Sequence, residues 1–346
     1  MNKEFDKIME YFPGNRTVFE ELSFLCIDKK IVPYIGAGLS QFAGNVPITK
    51  DRNLFPGWKE LIRIQYHANF SGNKMPDNLI NVAQDIEDEI GKNKFYEYIR
   101  VTMGGNLTNE EWDEILEDAE NHAISFVPKL FFGPIITSNF DRIIENYIEK
   151  NVKKLPVVLP DTTNIMRVIN SGKQILYKIH GCVSDHKNIV LTSEKYEKAY
   201  SIPEKYLTKF FQDFRFLFLG CSLYIENEKK DKPIEIWEDL IKKRDMYHYA
   251  ILPCNESDFE KRRAELESRK IYPILYEEGK HESVKLILKE LLNSCQLLSV
   301  SNKDDGVTFE NIINRNASLK YNENQKNIAK SILEKSIINF KDKKYG

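Results

Sequence analysis

His180 and Asn139 are the side chains of this sequence whose types and placement best suit proton transfer and the holding of hydroxyl groups. His180 follows the apolar run Ile175-Leu-Tyr-Lys-Ile179, and Asn139 follows Pro134-Ile-Ile within Ile135-Ile-Thr-Ser-Asn-Phe-Asp141. An imidazole with an unperturbed pKa of about 6.5 takes up a proton at neutral pH, and a carboxamide both donates and accepts hydrogen bonds. A third segment, Val32-Pro-Tyr-Ile-Gly-Ala-Gly-Leu-Ser40, carries no acid or base. Its Gly-Ala-Gly turn instead lets backbone approach a phosphate at a helix N-terminus. All three segments follow apolar runs of strand character. In an open α/β sheet the carboxyl ends of the strands form the ligand crevice, so the segments point to one site built around a dinucleotide.

The elements that must position these residues are legible as alternating patterns. Residues 1–30 read as helix, with Phe5, Ile8, Met9 and Phe12 at three-to-four spacing and a break at Pro13-Gly14. Strands are predicted at Ile31–Ile35, Pro134–Thr137, Leu155–Leu159, Ile175–Ile179, Ile189–Thr192, Phe214–Leu219, Tyr247–Pro253 and Ile271–Leu275. Helices are predicted for Asp141–Lys150, around Tyr196 and Ala199, and for Val284–Leu292. Between the first two strands, about 58–125 reads as a helical insertion, against which Phe55 and Trp58 read as packing residues. Strands alternating with helices predict an α/β fold: a Rossmann-like parallel sheet with a helical insertion and a helical C-terminal tail. The expected division is a main domain over 1–298, then a linker and helical tail over 299–346. In the tail, Ile328, Ile332, Leu333, Ile337 and Phe340 form an apolar stripe.

Composition narrows the function classes. Lys+Arg 50 against Asp+Glu 52 leaves a net charge of −2, which gives no electrostatic footprint for nucleic acid or an anionic membrane. No run approaches the ~20 apolar residues of a bilayer span, and the charged N-terminus lacks a signal-peptide core, so a cytoplasmic location is expected. Cys26, Cys182, Cys221, Cys254 and Cys295 are scattered, as reduced core thiols are, and no two have the spacing of zinc ligands. Bland readings stand beside the chemical ones: His180 as a core histidine satisfied by backbone, and Asn139 as the cap of the following helix.

Gly36-Ala-Gly-Leu-Ser40, Thr137-Ser-Asn-Phe-Asp141, His180-Gly181 and Gly220-Cys-Ser222 occur in this order, each at a strand end. Together they resemble the sirtuin NAD-binding domain over residues 31 to about 292. The resemblance implies that Gly36, Ala37, Gly38 and Ser40 hold the pyrophosphate of NAD, and that Thr137, Asn139 and Asp141 lie beside the nicotinamide ribose. It further implies that His180 is the catalytic base, and that Gly220 and Ser222 touch the nucleotide. The chain departs from protein-deacylating sirtuins in lacking their paired Cys-x-x-Cys zinc module and their Gly-Ile-Pro-Asp-Phe-Arg stretch. In these respects it is similar to the zinc-less sirtuin-like branch of bacterial anti-phage defence, whose usual activity is NAD hydrolysis.

The expectation is therefore an NAD glycohydrolase that uses NAD as substrate and no metal, with Asn139 and His180 catalytic. Alternatives are an NAD-dependent protein deacylase or ADP-ribosyltransferase, and a non-catalytic nucleotide-binding module. The resemblance also implies a homo-oligomer and activation by a partner protein or fused sensor domain, because unrestrained NAD cleavage would kill the host.

Overall fold

A computed structural model describes residues 3–27, 31–71, 74–151, 154–159, 174–200, 214–223 and 246–301. The expected stripe from Ile328 to Phe340 lies outside the described residues. Among the described residues seven strands build one parallel sheet: β1 (Ile31–Ile35), β2 (Ile135–Thr137), β3 (Val157–Val158), β4 (Leu176–Lys178), β5 (Arg215–Leu219), β6 (His248–Cys254) and β7 (Ile271–Glu277). Their order across the sheet is β3-β4-β2-β1-β5-β6-β7. The chain leaves β1 toward β2 on one side and later returns to β5 on the other. The crevice of an open α/β sheet forms at such a reversal, here beyond the carboxyl end of β1. The expected Rossmann-like architecture is present.

All five residues of β1 are buried, as a strand covered on both faces requires. Ile31 and Ile35 pack in one core layer while Val32 and Tyr34 pack in the other. Pro33 stands in this central strand although proline donates no ladder bond. The N–H of Gly36 bonds Leu219 on β5, so by alternation Tyr34 and Val32 face β5 and Pro33 faces β2. The β1–β2 ladder begins only at Tyr34, so the missing donor leaves no gap.

Helices α1 (Lys3–Tyr11) and α2 (Asn15–Ile27) and the long helix Glu282–Ser301 cover one face with Phe5, Met9, Phe19, Leu22, Ile287 and Leu291. The helix Phe259–Ser268 and Tyr196 of the helix Ser193–Tyr200 cover the other. Asn15 seals the β7 edge: its side chain accepts from Leu275 N (2.9 Å) and donates to Leu275 O (2.7 Å), as a further strand would.

The insertion folds as α3 (Trp58–Asn69), α4 (Leu79–Ile90), α5 (Lys92–Thr102) and α6 (Asn109–Ala119), and helical turns continue through α7 (Val127–Leu130). It has its own core around Leu61, Val82, Ile86, Phe95 and Ile99, and that core takes in Phe140, Val183, Ile189 and Leu191 from the sheet-end loops. The predicted strand Ile189–Thr192 is not one. These residues are fully buried but lie between two helical turns without a ladder, joined to β4's loop by Val190 N–H bonding His180 O at 2.9 Å. Both sides of β4 are already taken by β2 and β3, so the segment's apolarity serves packing instead.

His248 gives the fold an acid sensitivity. Its Nδ1 accepts the Phe216 N–H at 3.1 Å, which requires a neutral ring, and burial aided by Arg215 pushes its pKa down to about 3 from the usual 6.5. A depressed folded pKa contributes stability above the unfolded value and loses it as pH falls from about 6.5 toward 3. By pH 4.5 the loss is about 3 kcal/mol. His248→Asn keeps an acceptor for Phe216 without a titrating group. Its melting temperature is expected to fall less than the wild type's between pH 6.5 and 4.5, by about 4 °C; parallel curves in scanning calorimetry would refute this.

Candidate active site at the carboxyl ends of β1, β2 and β4

The turn after β1 is packed directly against the turn after β5. A Cβ on Gly36 would stand 2.6 Å from the Gly220 carbonyl oxygen, and one on Gly38 3.0 Å from the Gly220 Cα. Gly220 has φ +66°, and a Cβ there would meet Leu39 N at 2.6 Å. The glycines are thus required by backbone-to-backbone contact, whatever they do for a ligand. Most amides of the turn are spent on this packing or within the turn itself. Gly36 N–H bonds Leu219 O (2.8 Å), Gly38 N–H bonds Gly220 O (3.0 Å), Leu39 N–H bonds Gly36 O and Ser40 N–H bonds Ala37 O. Among the described residues no acceptor meets the Ala37 N–H, which leaves it as the donor this turn offers to an anion.

Asn139 is held from behind. Thr137 at the end of β2 donates its hydroxyl to Ile35 O (2.8 Å) and accepts the Asn139 N–H (3.0 Å). The Asn139 carboxamide donates both hydrogens, to Gly36 O (3.1 Å) and Ser40 Oγ (3.0 Å). What it can offer a ligand is therefore its carbonyl oxygen, an acceptor. Ser40 in turn hydrogen-bonds the Asp141 carboxylate, which also accepts the Ile143 N–H (3.0 Å) at the start of α8 (Ile143–Asn151). So Asp141, not Asn139, caps that helix. Burial raises the Asp141 carboxyl above the ordinary carboxylate value, opposed by the Lys178 ammonium and the Ile143 and Ser40 hydrogen bonds.

His180 is 4% exposed, with its ring edge against Tyr196 (centroids 5.3 Å) and Phe140 further off (6.3 Å). It shares with Ala37, Ser40, Asn139 and Asp141 a cleft of about 560 Å³, counting its open mouth. The other walls are Phe55, Trp58, Met103, Phe140, Leu191 and Tyr196, with Pro56 and Ser138 completing them. Phe55 and Trp58, read from sequence as packing residues, thus also face the cleft, and the Trp58 indole N–H is buried with no acceptor among the described residues.

The structure brings five of the ten expected site residues to the cleft: Ala37, Ser40, Asn139, Asp141 and His180. Thr137, Gly36, Gly38 and Gly220 support them from behind. Ser222 is exposed and does not line the cleft; its carbonyl accepts from Arg262 at 2.7 Å. Sequence reasoning passed over Tyr196, Lys178 and Glu145. Lys178 is fully buried and pairs with Glu145 at 3.1 Å, directly behind Asp141. Its signal was a lone lysine inside an otherwise apolar strand. Cys182 is a buried thiol that donates to Glu145 (3.4 Å), and burial raises its pKa. Among the described residues no three His, Cys, Asp or Glu side chains converge as a metal site would need, and no helix is long and apolar enough to cross a membrane.

The turn-to-turn contact is open to test. Gly220→Ala adds both left-handed strain and a backbone clash, so it should cost about 3 kcal/mol or more in denaturant unfolding. Gly279→Ala, at φ +84° with nothing within 4 Å, should cost only the strain, about 1–2 kcal/mol. Equal losses would show that the contact is slack.

Residues 134–274, which carry Asn139, His180 and Gly220–Ser222, match the SIR2-like domain family. NAD(+) hydrolase ThsA of Enterococcus faecium is 26% identical over 223 residues, 63% of this chain and 42% of that protein. The chain thus spans less than half the length of that relative. The family match starts at the entry to β2 and ends inside β7; β1 and its Gly-Ala-Gly turn lie upstream of it but complete the same sheet. The sheet order and the strand-end turns agree with that match: residues 134–274 of this chain are similar to the SIR2-like domain family.

Proposed function

We propose that this chain is an NAD glycohydrolase, cleaving the nicotinamide–ribose bond of NAD with water to give nicotinamide and ADP-ribose. The observation that carries the reading is the convergence of Asn139 and His180 from two separate strand ends on one apolar-walled cleft beside the Ala37 amide. The name of the Enterococcus faecium relative agrees with it.

The reaction breaks the C1′–N bond of the ribose, and nicotinamide leaves as a neutral ring. The bond electrons go with it, so positive charge develops on the sugar. Water supplies the new C1′–O bond and releases one proton. The protein needs to position the ribose, shield it from bulk water and direct one water molecule. Phe55, Trp58, Phe140 and Leu191 supply the shielding, and the Trp58 N–H offers a donor that a carboxamide oxygen can satisfy. The Asn139 carbonyl oxygen accepts a hydrogen bond from a ribose hydroxyl or the attacking water. His180 takes the proton. The Ala37 N–H faces the phosphates. The zinc-less sirtuin-like resemblance supports a role in anti-phage defence, where destroying the cofactor would stop the infected cell.

Incubation with NAD, followed by chromatography for nicotinamide, ADP-ribose and acylated-peptide products, separates hydrolase from deacylase and from passive binding. His180→Ala is expected to lower turnover by about 10²–10⁴-fold with the fold intact. Asn139→Ala should lower turnover far more than it weakens NAD binding. Wild-type turnover in folded His180→Ala protein would refute the assignment.

Free NAD hydrolysis is toxic to its own cell, so activity is expected to depend on assembly or on an activating partner. Light scattering with parallel NAD assays should find an oligomer, or a monomer of low activity. A monomer fully active at micromolar concentration without additions would overturn this expectation.

A further inference from the structure

We propose that Lys178 is a positioning residue that holds the Asn139 turn and the His180 turn in one fixed relation through its buried side chain. The inference rests on the hydrolase reading for its kinetic part only.

The ammonium of Lys178 is completely buried and meets three acceptors, one for each of its hydrogens. These are Glu145 Oε1 (3.2 Å), Glu145 Oε2 (3.1 Å) and the backbone carbonyl of Asp141. The Asp141 carbonyl closes the Asn139–Asp141 turn. From the same residue a relay of hydrogen bonds runs from the Asp141 carboxylate through Ser40 Oγ to the Asn139 carboxamide. The backbone of Lys178 does the corresponding service on the other side. Lys178 ends β4 two residues before His180, and its carbonyl accepts the Gly181 N–H at 3.1 Å. One residue therefore clamps the loop of β2 with its side chain and forms the loop of β4 with its main chain.

Stability alone gives little reason for such a group. A buried ion pair can generally be replaced by apolar residues of similar volume without loss of stability, since removing two charges from water costs as much as their attraction returns. A hydrophobic pair would fill the space between β4 and α8 but would leave the Asp141 carbonyl without a donor and the Asn139 turn free to shift. Displacement of a reacting group by about 1 Å can cost about 10²-fold in rate.

The test is the double variant Glu145→Leu/Lys178→Met, which removes the charges together and keeps the volume. Its far-ultraviolet circular dichroism should stay near wild type, and its melting temperature should fall by no more than about 4 °C, the cost of the Asp141 carbonyl left without a donor. Its kcat for NAD should fall about 10–10²-fold while KM moves less than about threefold. Hydrogen exchange followed by mass spectrometry should show faster exchange over residues 138–142 with α8 still protected. Unchanged kcat and unchanged exchange in the folded double variant would overturn the proposal. If the double variant does not fold, Lys178→Gln, which retains a donor, is compared with Lys178→Met. Lower kcat and faster 138–142 exchange in the methionine variant support the clamp; equal values overturn it. If wild-type protein fails to cleave NAD, the hydrolase reading falls, and the exchange measurement alone decides the clamp.

Discussion

Because β1 and β5 are paired up to Ile35 and Leu219, the turns that leave them have no freedom to splay, and each must accept the other's backbone at contact distance. Gly36, Gly38 and Gly220 are the residues that permit this. A single Cβ at any of them would push the two turns apart at the point where the crevice begins. Everything downstream follows from that approach. It consumes the Gly36 and Gly38 amides, leaves the Ala37 N–H without an acceptor among the described residues, and brings the Gly36 carbonyl to the Asn139 side chain.

From this contact a chain of polar groups runs inward: Gly36 and Ser40 to Asn139, Ser40 to Asp141, Asp141 to Lys178, Lys178 to Glu145 and Glu145 to Cys182. Such a network is costly to bury half-satisfied, and here each named member has a partner. The ammonium remains the charged form although burial opposes it, because Glu145 and Asp141 lie against it. The site thus has a rigid polar floor. Its apolar walls come mostly from elsewhere, as the insertion brings Trp58 and Met103 over the cleft and shares its core with Phe140, Val183 and Leu191 on the sheet-end loops. Loops that carry chemistry are ordinarily among the more mobile parts of a protein. Packing them into the core of a helical layer restrains them and keeps water from the cleft.

Strands were easiest to read where apolar residues ran unbroken into a glycine turn, as at Ile31–Ile35 and Phe214–Leu219, because burial on both faces leaves no polar alternation to obscure them. The same signal misled at Ile189–Thr192. Burial there comes from wedging between two cores, and no local pattern distinguishes a buried ladder from a buried connector. Trp58 and Phe55 read as packing because an aromatic residue carries no mark of which side of a cavity it lines. Lys178 was hidden by the strand around it, since its partner Glu145 lies 33 positions earlier and only the fold sets the two together.

The sequence by itself determined the class of the sheet and the strand ends from which Asn139 and His180 meet in one cleft, because these depend on local periodicity and on residue chemistry. Only the tertiary structure decided which atoms of those residues remain available. It spent the Asn139 hydrogens on Gly36 and Ser40, turned the glycines into a contact between two turns, and placed a buried lysine behind the site. Hydrogen-bond satisfaction and close packing are settled among groups distant in the chain, so no local pattern could announce them.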